Sequence, residues 1–394
     1  MQTLTGLKVI DLTRLLPGPL CTQIMADYGA EVIKIEEPGM GDPTRQFGPG
    51  IDEDSSFFWQ LNRNKKSLAV NLRSPHGKKI FKRMVENYDV IVEGFRPGVM
   101  QRLGLGYDEI SSINPGIVYA SISGYGQDGP YREKAGHDLN YMALTGLLEL
   151  NRSEGKSAPE IYPLQITDIG GGSLMALSSI MMALFKRSQT GQGDYIDISM
   201  ADGAIPWLTY TTSYCLAGAA KPYVKSAELT GKYAFYNVYE TKDKKYMSLA
   251  AVEPVFWQRF CHFAGRTDWV ERQYDPDDQP ALKEELSRYF AQKTRDQWAE
   301  EIKNEDFCCE PVLSVEEAGE HPQLKHRQYF TEVSRPEGGT SKQPGFPLQF
   351  NSDAGELRMP PPRLGQHSRE VLAEAGLTEA EIQKLMDKGI VSDV

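Results

Sequence analysis

Two rhythms of apolar and polar positions run through the first half of the chain. Short runs rich in branched side chains predict strands: Leu7-Lys-Val-Ile-Asp-Leu12, Glu31-Val-Ile-Lys-Ile35, Ser67-Leu-Ala-Val-Asn-Leu72, Asp89-Val-Ile-Val-Glu93, Gly116 to Ser123 and Tyr195-Ile-Asp-Ile-Ser199. Between them, Leu20, Ile24 and Met25 recur at helical spacing before Gly29, and residues 75–87 and about 171–187 carry further helical patterns. Strands alternating with helices imply a parallel sheet joined by right-handed crossovers. The expected fold class is α/β, with a large doubly wound domain over residues 1–220.

The texture changes near residue 230. Tyr233 to Glu240, the turn Thr241-Lys-Asp-Lys-Lys245 and Tyr246 to Val252 predict an antiparallel hairpin, and helices are expected at 254–264, 280–292 and 295–303. A smaller α+β domain over 225–330 follows from this. Residues 333–362, rich in Pro, Gly and Ser, read as a linker or a surface-running return, and amphipathic helices at 368–375 and 378–388 complete the return of segment 331–394 to the large domain. The start of the chain lacks a basic stretch followed by an apolar one, and the longest apolar stretch, Leu174 to Phe185, is broken by Ser178 and Ser179. A cytoplasmic protein with no membrane partner is expected.

Charge narrows the choice of partners. The 394 residues hold 43 basic and 54 acidic side chains, a net charge of −11, which disfavours nucleic acid and anionic surfaces. Five cysteines without paired spacing fit a reducing compartment. His321, His326, Cys308 and Cys309 lack the spacing that points ligands at one ion, so no metal is expected. Gly124-Tyr-Gly-Gln-Asp-Gly129 matches a dinucleotide fingerprint in letters only, because Pro130 follows at once where a helix should begin. It reads as a turn that admits something bulky close to the backbone.

Three places carry candidate chemistry. His137 and Asp138 sit at the mouth of an apolar helical run, where a helix dipole favours an acid and a neutral imidazole; an ordinary capping aspartate gives the same pattern. Asp168 precedes Gly170-Gly-Gly172 and a helix, so the glycines could admit a ligand beside the acid, or the acid could be a cap. Asn62-Arg-Asn-Lys-Lys-Ser67 and Phe95-Arg-Pro-Gly98 are compact cationic spots, suited either to phosphate at a sheet edge or to plain solvation.

Taken together, Gly6-Leu-Lys-Val-Ile-Asp-Leu12, Asp27-Tyr-Gly-Ala-Glu-Val-Ile-Lys-Ile-Glu36, Leu61-Asn-Arg-Asn-Lys-Lys-Ser67, Glu93-Gly-Phe-Arg-Pro-Gly98, Gly124 to Pro130, Thr190-Gly-Gln-Gly193 and Pro362-Arg-Leu-Gly-Gln-His367 resemble the family III CoA-transferase (CaiB/BaiF) superfamily, along nearly the whole chain. The resemblance implies an interlocked homodimer of subunits with a large Rossmann-like, CoA-binding domain and a small domain, acting on an acyl-CoA substrate with no cofactor beyond the coenzyme A that the substrate carries.

Gly136-His-Asp-Leu-Asn-Tyr141 is similar to the motif of the α-methylacyl-CoA racemase branch. That branch implies His137 and Asp168 as two bases on opposite faces of the thioester α-carbon, Asp138 beside them, and Glu253 supporting the histidine. The alternative within the family is a CoA-transferase using Asp168 as nucleophile through an aspartyl-CoA thioester. The stretch from Gly41 to Asp54 is longer than in compact racemases and resembles the transferase branch, and Thr167 stands where racemases often carry glycine. Coenzyme A would run over Arg14, Leu16, Lys34, Asn71, Leu72, Gly94, Phe95, Arg96 and Arg102, with Arg63, Lys65 and Lys66 as phosphate candidates.

Overall fold

The structure is a computed structural model that describes residues 1–152, 158–218, 225–351 and 353–393. Seven strands form one sheet in the order Val391–Ser392, Lys65–Val70, Glu31–Glu36, Lys8–Leu12, Val90–Glu93, Val118–Ser123 and Asp194–Ser199. Neighbours are parallel except Val391–Ser392, which pairs antiparallel with Lys65–Val70. Numbered along the chain, the parallel strands lie three-two-one-four-five-six, the doubly wound order whose carboxyl edge forms a crevice where the strand order reverses.

The four inner strands, Glu31–Glu36, Lys8–Leu12, Val90–Glu93 and Val118–Ser123, are buried almost throughout because both faces of the sheet are covered there. On one side Ile10, Ile33, Leu68 and Ile91 pack with Ile80, Phe81 and Met84 of helix Pro75–Val85 and with Leu372 and Ile382 near the C-terminus. On the other, Val9, Val32, Val90 and Val118 meet Cys21 and Met25 of helix Pro17–Asp27 and Ala176, Ile180 and Ala183 of helix Leu174–Thr190.

Residues 1–145, 164–206 and 322–394 form one compact unit, and 146–163 with 207–321 form a second. The expected boundary at 220 and 225 adjoins residues 219–224, outside the described ones; the second unit already takes in the chain from Trp207. That unit holds an antiparallel sheet of Tyr236–Glu240, Tyr246–Ala250 and Cys309–Pro311 over an aromatic core with Trp257, Phe260, Trp269, Phe290 and Trp298.

Two expectations need correction. The segment read as a linker contains most of a hairpin, Phe330–Ser334 with Thr340–Pro344, closed by a turn at Gly338 and Gly339, both with positive φ. Its polar strands carry no apolar alternation to announce them. The long helix also starts earlier than its apolar run. Residues Thr167–Ser173 wind as a π-helix that continues into Leu174–Thr190, giving a helical stretch of 24 residues that is long and apolar enough to cross a membrane by length and composition.

Candidate active site

The π-helical turn sets the position of Asp168. Two of its three glycines serve close packing: a Cβ on Gly171 would lie 2.4 Å from the Met200 carbonyl oxygen, and one on Gly172 would lie 2.8 Å from Pro17 Cβ. They let the helix start press against neighbouring backbone, which leaves Asp168, two residues upstream, at the wall of a cavity of about 300 Å³. Thr13, Arg14, Phe95, Arg96, Tyr125, His137, Tyr141 and Met200 also line it. These residues follow the carboxyl ends of strands Lys8–Leu12, Val90–Glu93 and Val118–Ser123, or are brought there by the helices, so the cavity occupies the crevice that the strand order creates.

Asp138 has a more specific job than capping its own helix. Its Oδ1 accepts the Thr167 N–H at 2.7 Å, the Thr167 hydroxyl at 2.6 Å and the Asp168 N–H at 3.0 Å. A carboxylate from one helix thus caps the first turn of another, and the hydroxyl that Thr167 provides tightens the link. Burial first, and then the nearby Asp138 charge, push the Asp168 carboxyl up to about 7. One oxygen of Asp138 is thus committed to three donors and ties the Asp168 turn to the start of helix Asp138–Thr145.

His137 ends the loop before helix Asp138–Thr145 and is exposed on the same cavity as Asp168. Its carbonyl accepts the Asn140 N–H at 2.8 Å while Asn140 Oδ1 accepts the His137 N–H at 3.0 Å, so the helix start holds the residue through its backbone. Tyr141 braces the same loop: its hydroxyl donates to the Gly136 carbonyl at 2.6 Å and its ring packs edge-on to Tyr125. The bulky group that the glycine-rich turn admits is this ring, since a Cβ on Gly124 would fall 2.6 Å from the Tyr141 hydroxyl. Tyr125, Tyr141 and Met200 had no separate signal in the sequence, because aromatic and methionine residues on apolar faces read as core.

A second cavity of about 530 Å³ shares Arg14, Phe95 and Arg96 with the first and adds Asn71, Leu72, Arg73 and Arg102. Arg14 lies over the Phe95 ring, 4.9 Å from its centroid. Among the described residues no carboxylate pairs with Arg14, Arg96 or Arg102, so three guanidinium groups face the groove uncommitted. Of the residues expected to hold coenzyme A, Arg14, Asn71, Leu72, Gly94, Phe95, Arg96 and Arg102 line one or both cavities.

The remaining members of that set lie elsewhere. Leu16 is buried, and Leu15, at φ +65°, faces the cavity in its place. Lys34 is wholly buried, donating to the Thr13 carbonyl at 2.9 Å and pairing with Asp42 at 2.9 Å. Arg63 pairs with Asp27 at 2.7 Å, Lys65 with Asp11 at 3.0 Å, and Lys66 with Glu370 at 2.7 Å and Glu374 at 3.3 Å. These three precede or begin strand Lys65–Val70, at its amino end, and their charges are already answered within the chain. They are therefore corrected from phosphate ligands to structural ion pairs. Glu253 belongs to the second unit, exposed at the N-cap position of helix Pro254–Phe263, and its side chain makes no capping hydrogen bond there.

Comparison with known proteins agrees with this architecture. The sequence matches CoA-transferase family III over residues 4–368. It is 34% identical to human alpha-methylacyl-CoA racemase, covering 99% of this chain and 98% of that one, and 33% identical to the mouse succinyl-CoA:glutarate CoA-transferase, covering 99% and 91%. A CaiB/BaiF family protein from Brucella suis superposes with a TM-score of 0.82 at 27% identity, over 95% of this chain and 99% of the other. A doubly wound sheet with a groove at its switch point, and a sequence match spanning nearly all of both units, place this chain in CoA-transferase family III.

Proposed function

We propose that the protein racemises or epimerises 2-methylacyl-CoA thioesters. The observation that carries this reading is that His137 and Asp168 line one cavity, with the Asp168 carboxyl raised to about 7, where a group can both accept and return a proton near neutrality. The nucleotide and pantetheine portion lies along the groove, where Arg14, Arg96 and Arg102 meet its phosphates; of the carboxylates on the same walls, Glu36 and Asp42 are already paired with Arg45 and Lys34, and Glu37 and Glu133 are the others. The thioester reaches the cavity between the two bases. One base takes the α-proton, the C–H electron pair moves onto the thioester oxygen as an enolate, and the other base delivers a proton to the opposite face. Tyr125, Tyr141 and Met200 limit water around the reacting carbon.

Glu253 is carried over from the resemblance as the residue that supports the histidine, and no metal or further cofactor takes part. The proposal includes an interlocked homodimer: Leu144, Met182, Phe185 and Ile205 are large apolar side chains left exposed, Met182 by 70% and Phe185 by 68%, as expected of surfaces that a second chain covers. It also includes a cytoplasmic setting in lipid metabolism, in keeping with the net charge of −11.

The second reading is CoA transfer, favoured by the 33% identity to a CoA-transferase over nearly the whole chain. There an Asp168 oxygen attacks the thioester carbonyl and expels the CoA thiolate, and the thiolate returns to the aspartyl carbonyl and frees the first acid. An incoming carboxylate then reverses both steps. One incubation separates the two readings. A single enantiomer of a 2-methylacyl-CoA, in deuterated buffer with a free carboxylic acid added, yields racemised thioester carrying α-deuterium and no new acyl-CoA if the first reading holds. CoA on the added acid without α-exchange overturns it in favour of transfer.

A further inference from the structure

Glu93 ends the strand beside the groove and is buried, with 5% of its surface exposed, yet among the described residues no cation pairs with it. Its neighbours in register are Leu12 and Ser121, whose side chain hydrogen-bonds it, and its Oε2 accepts the Phe95 N–H at 2.7 Å. The other ionisable groups acting on it or on which it acts are Asp197, Tyr119 and Tyr195, all of them acids. Burial pushes its carboxyl up to about 7, and the nearby Asp197 adds to the rise.

A buried acid without a counter-charge is costly to keep, and a core position at a strand end tolerates an apolar residue more cheaply. What this one does is fix the turn that follows. Gly94, Phe95 and Arg96 leave the strand at the switch point; all three line the first cavity, Phe95 and Arg96 line the second as well, and the Phe95 ring supports the Arg14 guanidinium.

We infer that Glu93 is a positioning residue for the acyl-CoA ligand: by accepting the Phe95 N–H it holds the turn that sets Phe95, Arg96 and Arg14 at the groove. It acts on affinity and takes no part in the proton transfers. The inference rests on the reading of the groove as an acyl-CoA site.

The test uses the full chain and two readouts, titration of free coenzyme A and steady-state turnover of acyl-CoA. Glu93→Leu, which removes the acceptor, is expected to weaken coenzyme A binding and raise KM by about tenfold with kcat within about twofold of the parent. Glu93→Asp, which keeps the carboxyl group but withdraws it by one methylene, serves if the leucine variant does not fold, and is expected to shift KM in the same direction. Glu93→Gln, which keeps a carbonyl acceptor, is expected to recover most of the affinity. Unchanged binding in the leucine or aspartate variant overturns the inference, as does a loss confined to kcat, or a glutamine variant as weak as the leucine one. If the parent protein binds no coenzyme A, the functional reading has failed and this inference falls with it. If the parent binds and the variants bind equally, the inference alone has failed.

Discussion

Cations in this chain fall into two regions with opposite fates. Lys34, Arg45, Arg63 and Lys65 lie inside the fold, each within 3.0 Å of a carboxylate from Asp42, Glu36, Asp27 or Asp11. Arg14, Arg96 and Arg102 stand at the groove with no carboxylate partner among the described residues. Burial accounts for the first group: a charge removed from water needs an opposite charge and hydrogen bonds, and desolvation of Lys34 is outweighed by Asp42, Asp11 and Glu36, which hold its ammonium above its ordinary range. The second group remains hydrated and free to meet an external anion. Local charge density in a sequence therefore does not identify a ligand site; what decides is whether the fold has already answered the charge.

The largest expected effect falls at the cavity that the second group borders. Asp168→Asn should lower turnover by about a thousandfold or more, measured against unchanged far-UV dichroism, and His137→Ala should abolish α-proton exchange in the same assay. In the buried region the expected loss is of stability. Arg63→Met leaves Asp27 buried without its partner and should cost about 3–5 kcal/mol in urea unfolding, with kcat per folded molecule unchanged. A stable Arg63→Met variant with weakened coenzyme A binding would dissolve the contrast between the regions. Arg96→Ala and Arg102→Ala should do the reverse, raising KM about fivefold to tenfold with no change in unfolding midpoint.

Smaller effects sharpen the account of Asp168. Asp138→Asn keeps an oxygen for the Thr167 and Asp168 N–H groups but removes the like charge that helps raise Asp168. The acidic limb of the pH profile of kcat should then move to lower pH, whereas Asp138→Ala, which also removes the cap, should lower kcat outright by about tenfold. The smallest effect is on folding. Asp168 holds its proton up to about pH 7 in the folded chain and loses it near the ordinary value of 3.8 when unfolded, so the stability tied to its protonation is full below that value and lost as pH rises through about 7. Asp168→Asn should therefore raise the melting temperature at pH 8 and change it little near pH 4, a difference that scanning calorimetry resolves.

Much of the fold was legible because the inner strands of the large sheet are buried on both faces and read as runs of branched side chains. Strand Cys309–Pro311, the polar hairpin at Phe330–Ser334 and Thr340–Pro344, and the edge strand Val391–Ser392 carried no such signal, being short or solvent-facing. Of the candidate site, local pattern alone left Asp138 and Asp168 looking like helix caps; the motifs of the resemblance singled out His137, Asp168, Arg14, Arg96 and Arg102, which line the two cavities. The role of Asp138 was hidden because its partners Thr167 and Asp168 lie about thirty residues away in the chain, and no local pattern announces a cap delivered from another helix. The Asn62 to Ser67 cluster misled for the opposite reason: its partners Asp27, Asp11 and Glu370 are distant in sequence, so its charges looked free.

The central claim is that Asp168 carries a proton and forms no bond to the substrate carbonyl. Intact-protein mass spectrometry after mixing with a 2-methylacyl-CoA and rapid acid quench tests it directly. The account predicts an unmodified mass throughout turnover, while coenzyme A retained in thioester linkage on Asp168, and absent from Asp168→Asn, would contradict it and make the residue a nucleophile.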